Sequence, residues 1–220
     1  MRLSRLAALC GIAGPVLFTA AWLAGSLRQR GHSMAEVQLS GLAADDARDP
    51  QIMIAGFVLL GVCSIVFGTA LGRRIAPRPA GAWLVVVAGA AAVAAGVFRR
   101  DHLLLTGPGF TGESWHNQVH DVVSGVAYGA MIAAPLVLGR RFRGDPDWAA
   151  ISRPVQLLAL GSAVALVVFA SRIAEPWNGV VQRLAVTLAL AAEVVVAGRM
   201  LALSPAGSPA GLPAPAPPGG

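Results

Sequence analysis

The sequence predicts an all-α polytopic membrane protein, built as one bundle of six transmembrane helices. Of its 220 residues, 55% are hydrophobic and only 13% are charged, about half the charged fraction of an ordinary soluble domain. Apolar stretches of the length that a bilayer core requires, about 20 residues per helix, recur between short clusters of arginine. The alternation of polar and apolar residues that marks a membrane β-barrel is absent from the sequence.

The six predicted helices are each bounded by charge, proline or glycine. They cover residues 6–26, 51–72, 80–98, 117–139, 155–172 and 179–202. The first stretch is too long for the apolar part of a signal peptide and no suitable cleavage site follows it, so we expect an uncleaved helix. Together the helices form one domain over residues 1–203. Residues 204–220 are rich in Pro, Ala and Gly and carry no charge, which predicts a disordered tail.

The net charge of +6 comes from arginine, because the chain contains no lysine. These arginines lie in clusters between the apolar stretches, which disfavours nucleic acid as a partner and favours the lipid bilayer. With both termini in the cytoplasm, ten arginines lie inside and seven outside, in line with the positive-inside tendency. The Ala-, Gly-, Arg- and Pro-rich composition is typical of a GC-rich bacterial genome. We therefore predict a multi-pass protein of the bacterial cytoplasmic (inner) membrane.

Two other features concern helix packing and the longest loop. Gly68 with Gly72, and Gly125 with Gly129, form two G-x-x-x-G pairs, and we expect both pairs to pack against neighbouring helices. The longest loop, residues 27–50, contains a short amphipathic piece over residues 38–43. We expect a solvated loop there, with a lid over the end of the bundle as the alternative.

The densest polar cluster lies before and within the start of the fourth helix. At 100° per residue its polar side chains fall in one 140° arc, which should point into the bundle because buried polar groups in a membrane need partners. The arc comprises His116, Asn117, His120, Asp121, Ser124 and Tyr128.

Three interpretations of this cluster stay open. His116 and His120 are one helical turn apart, so both rings can bind one divalent metal ion such as zinc, with Asp101 as a third ligand. The second interpretation is a metal-free acid–base site in which His116, His120, Asp101 and Asp121 are catalytic. The third is a structural network of hydrogen bonds. Asp121 is better placed to orient a histidine than to bind the metal.

A second polar cluster lies at the turn between the last two helices. Arg183 falls about one turn inside the sixth helix, where an unpaired arginine costs a few kcal/mol, so we expect an acid beside it. It forms either an ion pair that joins helices or a site for an anionic group such as phosphate or carboxylate. The candidate substrate-binding residues are Arg183, Arg172, Glu175, Gln182 and Asn117, and the candidate acids are Asp101, Asp121 and Glu175.

Glu193 is the deepest acid of the predicted bundle. It lies about 14 residues into the sixth helix, hence about 21 Å along it. Its own helix offers no basic residue at i±3 or i±4. Glu193 must therefore find a partner on another helix, reach the inner interface or stay protonated, and such an acid is a candidate functional residue.

Several short motifs also point to a known family. They are Gly14-Pro15, Val37-Gln38-Leu39-Ser40-Gly41-Leu42, Gly56-Phe57 with Gly61, Phe98 with Asp101, His116-Asn117, and Gly179 with Gln182-Arg183. With this layout the chain resembles the domain of unknown function 998 family over about residues 10–200. The resemblance implies a six-helix integral membrane protein without a settled activity, and adds weight to Asp101, His116 and Arg183 as a shared polar constellation.

Two classes of function follow from these features. The first is a membrane-embedded enzyme with an outward-facing His/Asp/Arg pocket, which acts on a lipid or another apolar small molecule. The alternative is a non-catalytic transporter, sensor or accessory protein. The sequence shows neither an inverted repeat nor a clearly broken span, which disfavours a carrier.

Overall fold

The computed structural model describes residues 2–31, 33–104 and 113–204. Within these ranges it contains six α-helices and no strand. The helices are α1 (Arg2–Arg28), α2 (Gln51–Arg74), α3 (Ala80–Val97), α4 (Trp115–Phe142), α5 (Ala149–Ser171) and α6 (Asn178–Ala202). All six are long and apolar enough to cross a membrane, so the predicted fold class is confirmed. Of the predicted tail, residues 205–220 lie outside the described residues.

The helix boundaries differ from the sequence prediction mainly at α5. The prediction began this helix at residue 155, after Pro154, whereas the helix starts at Ala149 and continues through the proline. A proline near a helix start removes one backbone hydrogen bond, and the remaining turns keep theirs. The apolar pattern alone therefore placed the start of α5 six residues too late.

The six helices form a closed ring. Each helix packs against its neighbours in the chain, and α6 completes the ring by packing against α1. We call the end of the bundle with the α1–α2, α3–α4 and α5–α6 connections the mouth, and the opposite end the base. One buried cluster around Phe67, Phe142 and Trp148 fills the base, and a second around Phe18, Met53 and other apolar side chains lies towards the mouth.

Glycines decide how closely the helices approach one another. A Cβ on Gly89 would lie 2.7 Å from the Gly61 carbonyl oxygen, and one on Gly68 would lie 2.9 Å from that of Ala82, so α2 and α3 are in backbone contact there. The packing expected for the Gly125 and Gly129 pair is wrong. Within the described part of the chain, a Cβ on either glycine would meet no atom within 4 Å.

The α1–α2 connection also departs from expectation. Residues 37–44 are buried and contain a short 3-10 helix, Ser40–Ala43. The side chains of Leu39 and Leu42 are 2% and 1% exposed, because they join the apolar cluster at the mouth. We call residues 37–44 the plug. The expected solvated loop is therefore wrong for this segment: its apolar side chains face the bundle rather than water.

Candidate functional site: a polar cleft at the mouth

The start of α4 is fixed by a network around Asp101. The backbone N–H and the hydroxyl of Ser114 each donate to the Asp101 carboxylate at 2.6 Å, while the Ser114 hydroxyl accepts from the N–H of Asn117 and so caps the helix. These hydrogen bonds, with that of the Ser114 hydroxyl foremost, lower the pKa of Asp101 below its usual value. Both carboxylate oxygens of Asp101 are thus engaged in holding the α3–α4 connection against α4.

Asn117 extends this network one turn further. Its buried side chain accepts from the N–H of Asp101 at 3.3 Å and donates to the Asp121 carboxylate at 3.2 Å. Asp121 is exposed and lines a cleft at the mouth. Three of the predicted site residues, Asp101, Asn117 and Asp121, are therefore joined by hydrogen bonds.

His120 lies in a different environment. Its ring is 1% exposed, and its Nδ1 lies 2.7 Å from the Phe98 carbonyl oxygen and 3.1 Å from that of Ala95. A carbonyl oxygen only accepts, so Nδ1 carries the proton and donates it. In the neutral ring Nε2 then holds a lone pair, and this buried atom has no hydrogen-bond partner among the described residues.

His116 does not share this environment although it is one turn away on α4. It is exposed, and its ring lies against Trp115 with 3.7 Å between centroids. In the described ranges, no group of three or more His, Cys, Asp or Glu side chains is placed to hold a metal ion. The structure therefore does not bring His116, His120 and Asp101 together as three metal ligands.

A cleft of about 430 Å³ lies between the mouth halves of α4 and α5, beside the plug. The polar residues that line it are Gln38, Ser40, Arg100, His120, Asp121, Ser124, Tyr128 and Gln182. Its remaining lining is Gly125, Gly129, Leu166, Phe169 and Ala170. The cleft thus has a polar end near the plug and a largely apolar side along α4 and α5.

The cleft exists because α4 and α5 touch near the base and diverge towards the mouth. At the base the Ser152 hydroxyl donates to the Gly139 carbonyl at 2.7 Å, and a Cβ on Gly139 would lie 2.9 Å from the Ser152 carbonyl oxygen. Towards the mouth Gly129 and Gly125 are exposed. The two glycines therefore form part of the wall of an opening rather than a helix contact.

Arg100 is the buried cation of the cleft. Its side chain is 7% exposed, and burial lowers the pKa of its guanidinium, an effect that Asp121 and Glu113 partly oppose. Its Nη1 lies 3.4 Å from Gln38 Oε1. In the part of the chain that the structure describes, its Nε has no partner and the guanidinium forms no ion pair.

Gln182 joins the plug to α4. Its Oε1 accepts from the N–H of Leu39 at 2.7 Å, and its Nε2 donates to the Tyr128 hydroxyl at 2.7 Å. The side chain is 2% exposed. Gln182 therefore sets the position of two cleft walls at once, the plug on one side and Tyr128 on the other.

Arg183 holds the first residue of the plug and the segment before it. Its Nη1 donates to the carbonyl oxygens of Met34, Val37 and Gly179 at 2.7–2.9 Å, and its Nη2 donates to Ser26 Oγ at 3.0 Å. The acid expected beside it is replaced by these oxygens, since a guanidinium can satisfy its donors with backbone carbonyls. Arg183 is not among the residues that line the cleft.

The remaining predicted residues lie elsewhere. Arg172 and Glu175 form an exposed ion pair with 3.5 Å between Nε and Oε1, beside a second cleft of about 250 Å³. Glu193 accepts from the Ser64 hydroxyl at 2.9 Å, so its partner is on another helix, α2. Neither arrangement reaches His120, and the second cleft shares only Gln38 with the first.

Sequence reasoning missed Arg100 and Gln38 as site residues. Both lie in connections outside the helices, where no periodicity indicates which side chain faces inward. Ser124 and Tyr128 did belong to the polar arc predicted for α4, and both line the cleft. The polar arc of α4 was therefore the signal that could have identified Ser124 and Tyr128 as site residues.

A model of the family described as "Protein of unknown function (DUF998)" matches residues 12–199. Comparison with curated proteins and with solved structures gives no match. The match covers most of the chain, and it confirms the resemblance found in the sequence motifs. The chain belongs to the DUF998 family.

Proposed function

We propose that this member of the DUF998 family is a membrane-embedded enzyme that acts on a lipid or another apolar small molecule. The observation that carries the proposal is the cleft, whose lining includes His120, a buried histidine with one ring nitrogen that has no partner among the described residues. Buried polar atoms are normally paired. A histidine held through one nitrogen and free at the other has the arrangement expected of a general base.

Access from the bilayer is supported by where the cleft lies. Tyr128 is 13 residues after Trp115, hence about 20 Å further along the helix axis, and the exposed Trp115 is of the type that favours the membrane interface. The cleft wall along Gly125, Gly129 and Leu166 is apolar. An apolar molecule can therefore enter sideways between α4 and α5.

The chemistry assigned to His120 is proton transfer. The carbonyl of Phe98 fixes the tautomer, so Nε2 accepts a proton from a substrate hydroxyl or from water. Ser124 and the Tyr128 hydroxyl line the same cleft and offer donors to a substrate. Asp101 acts through the start of α4 and is a positioning residue in this scheme, while Gln182 positions the plug and Tyr128.

The proposed orientation places the mouth outside the cytoplasm and both termini inside, since ten arginines then lie inside against seven outside. The test is labelling of intact cells with a membrane-impermeant maleimide, in a chain whose two cysteines are replaced by alanine. Ser33→Cys at the mouth should react and Arg143→Cys at the base should not. The reverse pattern would overturn the orientation.

The enzyme proposal is tested by lipid analysis. Membranes that contain the wild-type protein or His120→Gln at equal amounts are compared by mass spectrometry of extracted lipids. His102→Gln is the matched control, because the same substitution falls at the mouth on a residue that pairs with Asp46 and does not line the cleft. We expect one lipid class to be converted by the wild type and by His102→Gln, and to persist with His120→Gln.

Identical lipid composition in all three membranes would contradict the enzyme. A lipid that co-purifies with the wild type without being converted would instead favour a non-catalytic carrier or sensor.

A further inference from the structure

We propose that the cleft binds an amphiphile whose anionic head group, a phosphate or a carboxylate, contacts Arg100, and whose chain lies along Gly125 and Gly129. The inference rests on the proposed function in using the same cleft, but it requires binding rather than turnover. It assigns the anion site to Arg100, in place of Arg183, which the sequence suggested.

The two buried arginines of the mouth differ in how many hydrogen bonds their guanidinium groups form. Each is 7% exposed. Arg183 donates four hydrogen bonds of 2.7–3.0 Å and lies 5.3 Å from the Trp22 ring centroid. Among the described residues, the guanidinium of Arg100 forms one hydrogen-bond contact, 3.4 Å from its Nη1 to the neutral side chain of Gln38. The Nε of each arginine lacks a partner among the described residues, so the contrast lies in the terminal nitrogens. Those of Arg183 form four hydrogen bonds, two of them to the loop before α2, whereas those of Arg100 form one long contact.

The charge of Arg100 is not neutralised by a contacting acid of the described chain. In the described ranges Arg100 has no carboxylate within ion-pair distance, and a buried guanidinium is a strong site for phosphate or carboxylate because its donors form a planar fork. Asp121, Glu113 and Asp101 act on it electrostatically without contact; the first two are exposed, and both carboxylate oxygens of Asp101 accept from Ser114. A bound anion would supply the counter-charge that the described part of the protein does not place in contact.

The shape of the cleft fits a molecule with a polar head and an apolar chain. Its volume of about 430 Å³ is within the range of small-molecule sites. From Arg100 the lining continues past His120 to the two open glycines of α4 and to Leu166 and Phe169 of α5. A free phosphate would leave this apolar side unused, whereas an alkyl chain would cover it.

The experiment measures the affinity of three probes for the full-length protein in a neutral maltoside detergent. The readout is the shift in thermal unfolding temperature as each probe is added. The first probe, dodecyl phosphate, has both the anionic head group and the alkyl chain. Dodecanol has the alkyl chain alone, and inorganic phosphate has the anion alone. The variants are Arg100→Gln and the control Arg99→Gln. Arg99 is the adjacent residue, is exposed, and pairs with Asp45 at 2.9 Å, so both variants lose the same charge.

We expect dodecyl phosphate to bind the wild type and Arg99→Gln equally, and Arg100→Gln at least about tenfold more weakly. Dodecanol should bind all three proteins weakly and equally. Equal affinity of Arg100→Gln and the wild type for dodecyl phosphate would overturn the inference. Inorganic phosphate binding as tightly as dodecyl phosphate would also overturn it, since the site would then be one for free phosphate.

A second variant keeps the test decisive if Arg100→Gln fails to fold. Gly129→Leu retains Arg100 and fills the apolar side of the cleft, so it should weaken dodecyl phosphate, and unchanged binding would contradict the inference. The outcomes also separate the two proposals. Binding through Arg100 without conversion of any lipid would refute the proposed enzyme and support this anion site. Lipid conversion that depends on His120 but is unchanged in Arg100→Gln would support the enzyme and refute the anion site.

Discussion

The divergence of α4 from α5 predicts opposite effects for one substitution at two glycines. Gly129 and Gly61 both occupy helix interiors, yet the structure describes no atom within 4 Å of a Cβ built on Gly129. A Cβ on Gly61 would meet the Gly89 carbonyl oxygen and would lie 2.8 Å from the Val93 nitrogen. Alanine therefore fits the first position without rearrangement, and at the second it forces α2 away from α3.

The expected magnitudes follow from these surroundings. Replacing glycine by alanine in a helix interior without a clash stabilises by about 1 kcal/mol. Overpacking a tight contact costs about 1–3 kcal/mol, which at Gly61 cancels or exceeds that gain. For a chain of this length, about 1 kcal/mol corresponds to about 2–4 °C in Tm. Gly129→Ala should thus raise the Tm by a few degrees, and Gly61→Ala should leave it unchanged or lower it.

The assay is thermal unfolding of both purified variants and the wild type in the same neutral detergent, followed by tryptophan fluorescence. Gly198→Ala serves as a second open-space control, because the described chain likewise places no atom within 4 Å of a Cβ at that position. If Gly129→Ala lowered the Tm as much as Gly61→Ala or more, α5 would have to pack on Gly129. The cleft between α4 and α5 would then be absent, and the reasoning would be refuted.

Two further predictions concern the mouth. Arg183→Gln should lower the free energy of unfolding by about 3–5 kcal/mol, because it leaves buried carbonyl oxygens without their charged donor. Denaturant unfolding measures this loss, and the control Arg99→Gln, which removes a surface ion pair, should lose under about 1 kcal/mol. Equal losses in the two variants would contradict the structural role of Arg183. Asp101 has a folded-state pKa below its usual value of 3.8, so its contribution to stability is present above that pH and is lost as the pH falls through the lower folded value. Below about pH 4, the Tm of the wild type should therefore fall more steeply than that of Asp101→Asn. Parallel curves of Tm against pH would contradict the hydrogen-bond network at the start of α4.

The helices could be predicted from the sequence because apolar length and bounding charge are local properties. The plug could not. The amphipathic residues 38–43 indicate a surface segment, and whether their apolar side meets water or the bundle depends on distant partners such as Gln182 and Arg183, which hold the plug and the segment before it. Arg183 likewise needed a partner, but two of its three carbonyl partners, those of Met34 and Val37, come from a loop nearly 150 residues away in the chain.

The two G-x-x-x-G pairs show a related limit. Gly68 and Gly72 face α3, while Gly125 and Gly129 face the cleft. The motif indicates only that another helix backbone can approach closely at these positions. The packing of the whole ring of helices decides whether one does. His116 and His120 are similar in sequence spacing, yet one ring is exposed against Trp115 and the other is buried against α3 carbonyls. Only the tertiary structure separates them.

The central claim is a cleft open to lipid between α4 and α5, with Arg100 and His120 at its polar end. The most direct measurement is an experimental structure of the full chain in lipid nanodiscs. We predict elongated non-protein density that reaches from the side chains of Arg100 and His120 towards Gly129. Close packing of α5 against Gly125 and Gly129, with Arg100 bound to a carboxylate of the protein itself, would contradict it.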